Sequence, residues 1–124
     1  LIHAMPPDQR GAWQCIQEAQ KGTEMHILVI NFELHELSHE DFQAVATEAA
    51  PAFAEIPGLI SKHFLSNEDT NTYGGVYVFE SKQATQNYLN SDLCAGLAAN
   101  EHFINMQVRD FGILEGPSQV TRAL

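Results

Sequence analysis

The chain is short of positive charge. It carries 6 basic residues against 16 acidic ones, a formal charge of −10. Such a surface repels polyanions, which argues against nucleic acid and anionic membranes as partners. Cysteine is scarce too: Cys15 and Cys94 are the whole complement, far apart and without a C-x-x-C spacing. A disulfide between them stays open, but free thiols in a reducing cytosol are the expectation, which gives a cytoplasmic location. No apolar run approaches the roughly 20 residues of a spanning helix. The N-terminus has no basic segment leading into a hydrophobic core, so a secretory signal is not expected. Neither a dinucleotide-binding fingerprint nor a flavin-type glycine-rich loop is present, which fits a protein without a redox cofactor. Repeats and low-complexity segments are missing as well.

What is there suits one soluble domain. An apolar fraction of 44% and an aromatic fraction of 9% in 124 residues allow a modest single core. Residues 1–24 differ from the rest and read as an N-terminal extension, with a short helix expected from Pro6-Pro7-Asp8 to about Gln20, stopped by Gly22. Residues 25–124 read as the domain. From Met25 to Leu34 the chain is apolar on both alternating sides, the pattern of a strand buried on two faces. Ser38 caps a helix with Asp41 three residues on. Phe42, Val45, Ala46, Ala49 and Phe53 repeat at helical spacing, Pro51 kinks or tightens the last turn, and Pro57-Gly58 ends it.

A strand over about 59–66 and another over 75–79 flank the polar stretch 67–72, as a hairpin would. A short helix follows over 81–89, then a second helical piece over 93–100, and a final strand over about 105–114. Gly116-Pro117 opens a polar tail. The order is β-α-β-β-α-β, an α+β ferredoxin-like subunit with helices on one face of a four-stranded antiparallel sheet. Its other face is also apolar and needs a second cover, which a two-fold homodimer supplies.

Pro57-Gly58, the run Gly74-Gly75-Val76-Tyr77-Val78-Phe79, Ala84, Tyr88-Leu89 and the tail Ser118-Gln119-Val120-Thr121 together resemble the YdhR-like putative mono-oxygenases of the dimeric α/β-barrel group. The likeness covers about Met25 to Leu124. It implies a dimeric α/β barrel around a small-molecule pocket, an aromatic side chain pointing inward at Phe79, and a basic residue where Lys62 and Arg109 stand. It also implies oxygenase chemistry without a cofactor.

His35-Glu36-Leu37-Ser38-His39 matches H-E-x-x-H, the zinc-protease signature. That chemistry needs both histidines one turn apart on one helix face. A helix capped at Ser38 leaves His35 outside it. Zinc proteolysis is therefore rejected, and no metal is expected.

Polar side chains set in apolar strands are the better candidates, because such groups are either paired or line a wet pocket. Asn31, Lys62, His63, Tyr77, Arg109 and Asp110 qualify. Tyr77 and Phe79, two apart, share a face. Of the neighbours Lys62 and His63, only one can face a cavity. His63 lies on the more polar side with Ser61 and is the expected base, its ordinary pKa being near working pH. The expected catalytic pair is His63 and Tyr77, with Asn31, Phe79 and Arg109 binding substrate and an oxyanion held by Tyr77, Asn31 or Arg109. His63→Ala is expected to abolish oxygen uptake. Each residue also has a plainer reading, as core, surface or salt-bridge group.

The function expected from the resemblance is a cofactor-independent mono-oxygenase on a small apolar, aromatic or polyketide-like molecule. A base deprotonates a phenol or enol, and the carbanion itself reduces oxygen. A cyclase or isomerase could use the same parts. A non-catalytic ligand-binding barrel is the alternative, and a haem-binding version of it would need an axial histidine such as His63.

Overall fold

The computed structural model describes residues 25–124. The helix expected over residues 6–20 lies outside them, as does Cys15. The element order is β1 (His26–Leu34), α1 (His39–Ala54), β2 (Leu59–Asn67), β3 (Thr72–Phe79), α2 (Lys82–Leu89), α3 (Asp92–Ala99), β4 (Phe103–Gly112) and α4 (Glu115–Val120). The chain divides into two units; Met25–Gly112 is one, and 113–124 is the described part of the other. In that second part α4 is a six-residue helix without a side-chain cap, where the sequence suggested only a polar tail.

The four strands form one sheet in the order β2-β3-β1-β4, and every pairing is antiparallel. This is the ferredoxin-like arrangement, with α3 added after α2. Along β1 burial alternates strictly: His26, Leu28, Ile30, Phe32 and Leu34 are buried, and Ile27, Val29, Asn31 and Glu33 are half-buried. The period of two in a strand sends the first set to one face and the second to the other. The helices cover the first face. Leu28, Ile30, Tyr77 and Phe79 pack there with Phe53 of α1 and Ala84 and Tyr88 of α2, joined by Leu93 and Leu97 of α3. A neighbouring cluster of Phe32, Phe42, Tyr73 and Phe103 continues the layer, with the Phe32 and Phe103 rings 4.3 Å apart and edge to face. Each fully buried aliphatic or aromatic side chain contributes about 1.5–3 kcal/mol, so these two clusters hold the helices down.

Local chemistry sets the helix ends. Ser38 accepts from the Asp41 backbone N–H at 3.0 Å, Ser81 from Ala84 at 3.0 Å and Ser91 from Cys94 at 3.2 Å, three N-caps of one kind. Pro51 stands inside α1 without ending it. The chain then turns through Gly58, whose φ of +81° suits glycine; a Cβ there would also meet that of Ala84 at 2.5 Å. The hairpin is tighter than expected. Pairing continues to Asn67 opposite Thr72, leaving 68–71 as the loop, and Asn71 at φ +50° bonds both the Leu34 carbonyl, at 3.0 Å, and its N–H. The ladder has two irregularities. The β2–β3 register slips at Ile60, and the β1–β4 register slips after Asn31, where Asn105 takes φ +53°.

Candidate functional site

A cavity of about 300 Å³ lies between the helix-covered face of the sheet and helices α1 and α3. Its walls are almost wholly apolar, from Ile30 and Phe42 to Phe53, Leu97 and Phe103. Its floor is explained by a missing side chain. Gly75 sits at the centre of the sheet, opposite Ile30 on one side and Phe64 on the other. A Cβ there would meet Lys62 Cε at 2.6 Å and a Tyr77 ring carbon at 3.3 Å. Glycine in a strand interior costs stability but opens room, and the Lys62 stem occupies part of that room.

Four polar residues reach the lining: Lys62, Tyr77, Asp92 and Asn100. Lys62 lies directly across the ladder from Tyr77. Its Nζ sits 3.3 Å from the centre of the Phe53 ring, 4.0 Å from Phe64 and 4.5 Å from Tyr77. Burial pushes the Lys62 ammonium down from 10.5 to about 7, since leaving water disfavours the charged form. The three ring faces act the other way and favour the cation. Lys62 therefore titrates close to neutrality, free to hold or release a proton.

Tyr77 is buried, 1% exposed, and its hydroxyl lies 3.1 Å from that of Tyr88. Burial raises Tyr77 to about 12, against a lowering by the Tyr88 hydrogen bond. Burial likewise raises Tyr88, with Tyr77 adding to it. Both keep their protons at neutral pH. Either hydroxyl can donate in that pair, and when Tyr88 donates the Tyr77 O–H is left to turn elsewhere. Phe79, fully buried, stacks on Tyr77 at 6.0 Å and backs the cavity wall.

Of the five residues singled out from the sequence, the structure brings Tyr77 and Phe79 together and separates the other three. His63 pairs across the ladder with Val76, Val76 with Val29, and Val29 with Arg109. That single row crosses the sheet face opposite helices α1–α3. His63 and Arg109 are exposed at its two ends, roughly 14 Å apart at three strand spacings. Asn31 is on the same face, half-buried, its amide 3.4 Å from the Tyr73 carbonyl. Asp110 projects on the helix-covered side and holds His26 at 2.6 Å. No histidine lines the cavity among the described residues, so it offers none of them as a haem axial ligand.

The H-E-x-x-H stretch has the geometry its cap implies. Ser38 is the N-cap of α1, so His35 precedes the helix, and His39 turns its Nδ1 to the Tyr73 hydroxyl at 2.9 Å. Among the described residues, no three histidine, cysteine or acidic side chains come together as a metal site. No described helix is long and apolar enough to cross a membrane.

Lys62 is the residue whose side the sequence did not reveal. The hairpin could have done so: counting back from Asn67 opposite Thr72 puts position 62 opposite 77.

The fold recurs in solved structures. SnoaB, a cofactor-independent oxygenase from Streptomyces nogalater, is 21% identical over 73% of this chain and 94% of its own, with a TM-score of 0.59. A protein of unknown function from Nitrosomonas europaea, NE2512, is 18% identical over 74% and 91%, with a TM-score of 0.63. A putative antibiotic biosynthesis monooxygenase from Caulobacter crescentus is 18% identical over 75% and 92%, with a TM-score of 0.58. At such identities the likeness is one of fold. No curated protein matches the chain. The family profile described as "Putative mono-oxygenase ydhR" matches residues 27–124, and the chain belongs to that family.

Proposed function

We propose that this protein is a cofactor-independent mono-oxygenase acting on a small aromatic or polyketide-like molecule that carries an acidic C–H beside a phenol or carbonyl. The observation that carries this reading is the Lys62 amine, held among three ring faces inside an apolar cavity. In its neutral form Lys62 takes the substrate proton, and the ring faces then stabilise the ammonium that results. Tyr77, which keeps its proton, donates to the substrate oxygen as negative charge collects there. The carbanion passes one electron to dioxygen, and the two radicals couple to a C–O bond. Protonation gives a hydroperoxide, which loses water to leave a carbonyl. One oxygen atom ends in the product and one in water, and the substrate supplies all four electrons. The dry walls protect the carbanion from reprotonation by solvent.

The test is oxygen consumption with hydroxylated anthrones, without added flavin, nicotinamide or metal. The reading expects one oxygen consumed per substrate and a carbonyl product. Tight binding with no uptake would instead favour a barrel that only holds its ligand.

The apolar sheet face opposite helices α1–α3 supports a homodimer. Ile27, Val29, Val76 and Val78 on that face remain half-buried, and Phe111 at its edge is 50% exposed. A second copy laid face to face would bury this apolar surface, with His63 and Arg109 at the rim of the seam. Sedimentation of the whole chain is expected to give a dimer; a monomer at all concentrations would remove this part. The acidic charge and the thiol at Cys94 support a cytoplasmic protein.

A further inference from the structure

Lys62 does more than sit near neutrality. Its amine is the one lysine nitrogen among the described residues that opens into a cavity, and it is held there. Gly75 makes room for its stem, and the faces of Phe53, Phe64 and Tyr77 fix its head. The pocket before it has space for a bicyclic aromatic ligand, at about 300 Å³. A neutral amine in an apolar pocket is a nucleophile as well as a base.

We infer that Lys62 forms a reversible imine with apolar aldehydes and ketones that enter this cavity. The amine lone pair attacks the carbonyl carbon, a C–N bond forms, and the carbonyl π pair takes a proton to give a carbinolamine. One proton leaves the nitrogen on addition; the hydroxyl then takes a proton and leaves as water while the nitrogen lone pair forms the C=N bond, giving a protonated imine that keeps one N–H. Three features favour the sequence. The protonated imine is a cation, so the same three ring faces stabilise it. The Tyr77 hydroxyl, on the facing strand, keeps its proton and can donate to the departing oxygen. The apolar walls favour release of water and slow the reverse hydrolysis.

The inference goes beyond the oxygenase reading and does not require it, because imine formation consumes no oxygen. The experiment uses the whole chain, 2-naphthaldehyde and cyanoborohydride at neutral pH, with intact mass and peptide mapping as readouts. Hydride addition converts the imine to a stable secondary amine. Among the lysines, the expected result is an adduct at Lys62 formed at least about tenfold faster than at Lys82 or Lys21, in line with an amine held in an apolar cavity. Naphthalene, which fills the cavity but has no carbonyl, is expected to slow it. Lys62→Arg, which keeps the charge but cannot condense, is expected to lose the adduct while leaving the other lysines unchanged. Equal labelling of all three lysines, no adduct at Lys62, or labelling of Lys62 that naphthalene leaves untouched would each overturn the inference. An adduct without oxygen uptake on anthrones would overturn the oxygenase reading alone.

Discussion

The two faces of the sheet use the same strands and the same kinds of residue for opposite ends. On the covered face, Tyr77, Phe79, Leu28 and Ile30 are all within 1% of full burial, and the polar group among them, Lys62, is enclosed by rings. On the opposite face, which α1–α3 leave open, valine and isoleucine carry the centre while His63 and Arg109 stand exposed at the edges. A polar residue in an apolar strand is therefore not a site by itself. On the covered face, burial moves the pKa of Lys62. The difference teaches that chemistry here follows enclosure, not polarity.

Several substitutions would break or sharpen that contrast. Phe79→Ala on the covered face is expected to cost about 3–5 kcal/mol of unfolding free energy by denaturant titration, as a large side chain removed from a closed core does. Lys62→Met should lower oxygen turnover about 100-fold, the scale of a lost general base, whereas His63→Ala should change it little. The reverse outcome, with His63 essential and Lys62 not, would move the chamber to the other side of the sheet.

The pH dependence of stability follows from Lys62. Its folded pKa, about 7, lies below the ordinary 10.5, so between those values the unfolded chain holds a proton that the folded chain has shed. Stability from this group therefore rises as pH rises from about 7 toward 10.5, and is lowest below 7. Thermal unfolding of the protein against Lys62→Met across that window should display the rise in the parent alone. Ser38→Ala is the smallest change: loss of the cap bond to Asp41 is expected to cost about 1 kcal/mol, with no effect on turnover.

How much of this could be read in advance divides along range. The Ser38 cap, the Pro57-Gly58 turn, the glycine doublet and the order of strands and helices up to β4 were legible, because each is decided within a few residues. The alternation of β1 gave both its faces. What stayed hidden depends on register. A polarity argument put His63 toward the pocket and Lys62 away from it, yet the unbroken register running back from the Asn67–Thr72 pair sets Lys62 opposite Tyr77. The lysine stem is itself apolar and lies along the rings, so its charge is a poor guide to its side. The helix α4 was hidden for another reason: Gly116 and Pro117 within Glu-Gly-Pro-Ser-Gln-Val signal a break, though proline is well tolerated in a first turn.

The absent side chain at Gly75 has a consequence for how such proteins diverge. A single methyl at that place would collide with the lysine tail at 2.6 Å and press more lightly on the His63 carbonyl at 3.3 Å, so accepting it requires the Lys62 amine to swing to a new position. Cavity size and the position of the Lys62 amine are thus coupled to one residue, away from the caps and the strand order around it.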